Sequence, residues 1–237
     1  NFIINIININ MFEINYTNGL CFYSLLFIIL YKICKLFIKD NTKLFTVISE
    51  LYGLIHCIIF IIYGIYDFIK KYTNEFREKW LKLFICYYII AFIYVVFDYI
   101  ITKSEMSLIY IVHHILVFII MYFVIYKCDC IDTTTYILLS IEISNFFKYI
   151  YTFSSLYSNY NKNMTGYITL ILWAFSFIVL RLIVIPIICG KIYYKDIPDK
   201  KIEKKYGIIV LCLLIIIQIL SMMWSYKLVQ KIFRYNF

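Results

Sequence analysis

Along this 237-residue chain the apolar positions come in long unbroken runs separated by short polar stretches. Seven runs stand out, over residues 20–38, 44–66, 83–101, 108–126, 134–153, 167–189 and 207–226. Each is near the ~20 residues that a helix rising 1.5 Å per residue needs to cross a hydrocarbon layer. Strands of a membrane β-barrel would alternate polar and apolar side chains over about ten positions, and these runs do not. The pattern predicts an all-α polytopic membrane protein with about seven transmembrane helices. The longest connectors, around 67–82 and 190–206, are too short to bury a core, so no soluble domain is expected.

The polar residues that the runs tolerate fall at helical spacing. Ser49, Tyr52, Gly53, His56, Phe60 and Tyr63 recur at three- and four-residue steps on one face of the second span. Tyr87, Ala91, Tyr94 and Asp98 do so in the third, and Glu142, Asn145, Tyr149 and Thr152, with Lys148 beside them, in the fifth. The fourth run is interrupted only by the adjacent pair His113 and His114. The sixth carries Arg181, five residues before Pro186, and the seventh carries Gln218, Ser221 and Ser225 near Trp224. A charge at the centre of a spanning helix costs about 2.5–3.5 kcal/mol on insertion scales. These faces are therefore expected to turn inward, with helices two to seven enclosing a polar-lined cavity. The first span holds no acid or histidine, only Lys32 and Lys35 near its end, and reads as a peripheral helix.

Composition supports the membrane assignment. Hydrophobic residues make up 64% and charged residues 16%, against about 45–50% and 25% in soluble domains. The excess of Ile, Asn, Lys, Tyr and Phe has the look of AT-rich coding, so the 25 tyrosines are discounted as individual signals. A net charge of +9 would suit nucleic acid, but the Lys and Arg residues lie mostly between or just beyond the runs, where lipid headgroups meet them. Nucleic acid is not an expected partner. These charges divide nearly evenly between the two sides; the 190–206 connector is the most basic loop and the best single candidate for the cytosolic face. Most of the eight cysteines fall within or at the edge of spans as small hydrophobes. Cys128 and Cys130 form the one close pair, a weak metal or redox signal without a matching cluster. The chain opens on Asn1, so its start is expected at Met11 or upstream, and residues 1–19 lack the basic residues of a secretory signal.

Three chemistries suit the polar set. In the structural one, Asp98 or Glu142 neutralises Arg181 or Lys148, and the histidines bond to Tyr or Ser on neighbouring helices. Metal binding is disfavoured, because membrane di-iron enzymes use repeated histidine boxes and this chain has three histidines, two of them adjacent and about 100° apart around a helix. No metal and no resident cofactor are expected. In the third, a neutral imidazole at His113 or His114 attacks a thioester or takes a proton from an attacking amine, with Asp98 or Glu142 orienting the ring.

The order of these residues resembles the TLC-domain family, which includes translocation-associated membrane proteins, ceramide synthases and several small lipid-linked proteins. The likeness runs over 44–231. It rests on Ser49 and His56 in the first domain helix, Asp98 ending the next, and then His113 and His114. Glu142, Ser144, Asn145, Phe146 and Phe147 follow, then Asn163 and Gly166, then Phe177, Arg181 and Pro186, and finally Gln218 and Trp224. The resemblance implies six helices forming a barrel around a lipid-sized cavity, preceded by an extra helix, in the endoplasmic reticulum membrane. It divides the chain into a polar segment 1–19, a first helix and linker 20–43, the domain 44–231 and a short basic tail 232–237.

The family's functions differ. Ceramide synthases join a fatty acyl group from acyl-CoA to a sphingoid base, using the double histidine and a downstream His-Asp-x-x-Ser-Asp-like segment. Here that segment has Ile141 in place of the histidine, with Glu142 and Asn145 at the acids, and residues 115–126 are almost wholly apolar. The form around Glu142, Ser144 and Phe146 is more similar to the small TLC-domain proteins linked to membrane lipid composition. The expected function is therefore binding of a lipid or acyl chain in lipid homeostasis, with His56, Ser49, Tyr94, Ser144, Asn145, Arg181, Gln218 and Trp224 lining the cavity. The alternative is a ceramide synthase-like N-acyltransferase of sphingolipid metabolism, with His113, His114, Asp98 and Glu142 as its catalytic set and acyl-CoA as co-substrate. A trafficking or translocation accessory protein is the third reading; its sorting signal would lie in the tail, where only Lys227, Lys231 and Arg234 stand out.

Overall fold

A computed structural model describes residues 15–70, 74–103, 105–127, 131–157, 164–199 and 202–234. Cys128, Cys130, Asn163 and most of the 1–19 segment lie outside the described residues. The helices are α1 (Tyr16–Phe37), α2 (Asn41–Lys70), α3 (Asn74–Thr102), α4 (Glu105–Lys127), α5 (Ile131–Tyr157), α6 (Met164–Phe177), α7 (Ile185–Lys191) and α8 (Lys204–Phe233). A π-helical turn, Ile178–Val184, joins α6 to α7 without a break, and a second, Ile192–Asp196, follows α7. The α6–α7 rod thus forms one unit, and the described residues make seven long helical units.

Local chemistry sets several ends. The Asn15 side chain accepts from the Asn18 N–H at 2.9 Å and starts α1, and Asp40 accepts from the Lys43 N–H at 3.0 Å to start α2. Lys103, at φ 54°, closes α3 in the left-handed conformation. The sequence pattern begins the third span at residue 83, whereas α3 begins at Asn74. Its first turns are charged rather than apolar, and ion pairs one turn apart support them: Glu75 with Lys79 at 2.9 Å and Glu78 with Lys82 at 2.7 Å. Arg77, between them, reaches Asp67 of α2 at 2.9 Å and Asp132 of α5 at 2.7 Å, tying three helices together at this end.

Among the described residues, six helical segments are long and apolar enough to cross a membrane by length and composition. The seventh, α5, is long enough but more polar, and its position accounts for that. It packs against α2, α3, α4, α6 and α7, and Thr133, Thr134, Ser140, Glu142 and Ser144 are buried there. Two glycines admit it to α2: a Cβ on Gly53 would overlap the Tyr149 ring, and one on Gly64 would overlap Leu139. These notches lie about three turns apart on one face, so α2 and α5 approach closely along an antiparallel seam. The outward faces are apolar, as on α8, where Ile215, Ile219, Met222 and Met223 are all about half exposed. A surface of that kind is stable against lipid rather than water. The protein is an integral, multi-pass helical membrane protein.

The first span, though it reads as peripheral, sends Tyr23, Leu30 and Cys34 to the core. Tyr23 is fully buried, packs against Tyr52 and Tyr87, and its hydroxyl is bonded to His56 Nδ1 at 2.7 Å.

Candidate functional site

Arg181 stands in the middle of the Ile178–Val184 π turn. In that wider turn the Ile185 N–H reaches back to the Leu180 carbonyl, so the Arg181 carbonyl faces residue 186, which is Pro186 and has no N–H. Gln218 of α8 supplies the missing donor, its Nε2 lying 2.7 Å from that carbonyl. The Arg181 side chain turns inward to α5, where Nε donates to Ser144 Oγ at 2.9 Å and Nη2 to Asn145 Oδ1 at 2.6 Å. Its guanidinium lies 4.5 Å from the Phe177 ring centroid. The arginine is thus held by neutral oxygens and an aromatic face, not by the carboxylate pairing that the sequence suggests.

The other buried charges are paired differently as well. Lys148 Nζ lies 3.8 Å from Glu50 Oε1 and 4.4 Å from the Tyr149 ring. Glu142 Oε2 accepts from the Cys57 thiol at 2.8 Å, and Glu142 Oε1 is buried without a hydrogen-bond partner. Cys57 and Glu142 are held together by the α2–α5 seam.

The three histidines occupy distinct settings. His56 lies flat against Tyr87, with ring centroids 3.7 Å apart and planes 1° from parallel. His114 Nδ1 is 2.7 Å from the Tyr110 carbonyl of its own helix. A carbonyl can only accept, so Nδ1 carries the proton and Nε2 of the neutral ring holds the free lone pair. His113 packs edge-on to Trp224 at 5.7 Å, and its Nδ1 is buried without a partner.

Two chambers open among these groups. The first, of about 270 Å³, has His113, His114, Asn145, Arg181, Trp173, Trp224, Lys227 and Lys231 in its wall. The second, of about 390 Å³, has Ser49, Glu50, Tyr52, Tyr94, Asp98 and Thr152 in its wall. Tyr87, Tyr110, His114, Lys148 and Tyr149 belong to both, so the chambers adjoin across a wall that contains His114.

A family model described as the TLC domain matches residues 46–230. The chain belongs to the TLC-domain family. No curated protein matched the sequence. Within the TLC domain, the residues singled out by sequence fall into three groups. His113, His114, Asn145, Arg181 and Trp224 line the first chamber, and Ser49, Tyr94 and Asp98, again with His114, line the second. His56, Glu142, Ser144 and Gln218 stand behind the walls, where they hold Tyr23, Cys57 and Arg181 in place. Glu50, Tyr88, Trp173, Lys227 and Lys231 line the chambers too, and sequence reasoning does not reach them. Glu50 had a usable signal, being an acid within an apolar run; the lysines resemble any residues at a span end.

Proposed function

We propose that this TLC-domain protein accommodates a lipid acyl chain within its helices and serves membrane lipid homeostasis in the endoplasmic reticulum. The observation that carries the reading is a pair of adjoining chambers inside an apolar-skinned bundle, with polar groups gathered at Arg181, Lys148 and His114 and aromatic walls around them. Their sizes bracket the lower end of the ~300–1,000 Å³ usual for small-molecule sites. An amphipathic molecule matches a wall that is polar in one part and apolar elsewhere. Lipid extracted from the purified protein after extensive detergent washing should contain a defined species in near-stoichiometric amount; protein that retains none would overturn the reading.

A second reading, ceramide synthase-like N-acyl transfer, is favoured by one observation: His114 lines both chambers and holds its Nε2 lone pair free. With an acyl-CoA thioester in one chamber and a sphingoid base in the other, Nε2 would take the amine proton as the new N–C bond forms. The thioester C–S bond breaks, and the thiolate leaves to be protonated as free CoA. Purified protein supplied with both substrates separates the readings. Turnover lost in His114→Ala and His113→Ala establishes transfer, while no turnover together with a retained lipid leaves binding.

A further inference from the structure

The two chambers differ in charge. Among the described lining residues, the first holds Arg181, Lys227 and Lys231 and no carboxylate, whereas the second holds Glu50 and Asp98; Lys148 lies in the wall between them. Glu50 is only loosely engaged. Its Oε1 lies 3.8 Å from Lys148 Nζ, beyond hydrogen-bond length, and its Oε2 is buried with no hydrogen-bond partner. Tyr52, 4% exposed and in the wall of the same chamber, also has a buried hydroxyl without a partner. Two unsatisfied oxygens within a membrane-spanning bundle are costly unless a ligand satisfies them. Tyr94 and Tyr110 line the same chamber, and tyrosine rings beside carboxylates attract organic ammonium groups.

We propose that the second chamber takes the ammonium of a zwitterionic phospholipid headgroup, with the phosphate of the same headgroup against Lys148. The inference rests on the lipid-binding reading and specifies the ligand class for it. The adjacency of Glu50 and Lys148 favours a zwitterion over a simple amine, because an opposite charge beside each group stabilises both ends of the same headgroup.

The test uses the purified full chain in detergent and three probes. Dioctanoyl phosphatidylethanolamine carries both charges and a primary ammonium that can donate to the Glu50 and Tyr52 oxygens, dioctanoyl phosphatidate carries phosphate without ammonium on the same tails, and sphingosine carries ammonium without phosphate. Phosphatidylethanolamine should bind about tenfold or more tightly than either of the others. Glu50→Gln should weaken phosphatidylethanolamine about tenfold and leave phosphatidate unchanged. Tyr52→Phe removes only a hydroxyl that has no protein partner, so it should keep the fold and weaken phosphatidylethanolamine severalfold. Equal binding of phosphatidate, or equal binding of sphingosine, overturns the headgroup inference while leaving lipid binding intact. Absence of binding by all three overturns both.

Discussion

At the scale of single residues, the clearest causal chain runs from Pro186 to Gln218. A proline five residues after Arg181 removes the donor that the π turn would supply, and one glutamine on another helix replaces it at 2.7 Å. Gln218→Leu should therefore leave the Arg181 carbonyl unsatisfied and destabilise the protein by about 1–3 kcal/mol. Pro186→Ala restores an N–H at the right place, so in that background the same Gln218→Leu change should cost much less. A double-mutant cycle on unfolding in detergent reads the difference, and additive effects would refute the link. The residues of this network were legible in the sequence because Arg181, Ser144, Asn145 and Gln218 are polar groups within apolar runs. Tyr23 was not, because one tyrosine among 25 carries no mark of its own until the α1 packing brings it to His56. Periodicity assigns a residue to a helix face; it does not say which helix that face meets. For this reason Arg181 and Lys148 were legible as charges needing partners, while the partners themselves were not.

Among the elements, all seven units were readable from hydrophobic runs, and the boundary that shifted most is the start of α3. Residues 74–82 carry too many charges to register as a span, and their helix is held by ion pairs and Arg77 together with the burial of Trp80 and Leu81. These contributions are unequal. Glu75 and Glu78 are solvent-facing partners, and neither Glu→Ala change should lower the unfolding temperature appreciably. Arg77→Met leaves Asp67, which is 3% exposed, without its partner and should cost roughly 2–4 kcal/mol. Comparing the three variants by thermal unfolding distinguishes a surface-stabilised turn from an anchored one; equal effects would contradict the anchoring role. The polar composition of α5 follows from the same logic at larger scale. A helix surrounded by α2, α3, α4, α6 and α7 can carry Glu142 and Lys148 because other helices, not lipid, cover them.

For the whole molecule, seven crossings place successive helix ends on alternate sides, so the C-terminal ends of α1, α3, α5 and α8 share one side. Both chambers belong to the half of the bundle nearest that side. Their walls use Asp98 near the end of α3, Thr152 late in α5 and Lys227 and Lys231 in the last turns of α8, together with Thr46 and Tyr110 early in α2 and α4. A ligand reaching either chamber from the aqueous phase therefore approaches from that side, whichever compartment it faces. Single cysteines in a cysteine-free background test this arrangement. Lys103→Cys, after α3, and Lys231→Cys, in the first chamber's wall, should react with an impermeant maleimide from the same face of sealed vesicles. Lys195→Cys, at the opposite end of the α6–α7 rod, should react only from the other face. A chamber-specific lipid should slow labelling at Lys231→Cys severalfold without affecting Lys195→Cys. Labelling of Lys231→Cys and Lys195→Cys from one face would refute seven crossings, and with them the shared side on which both chambers depend.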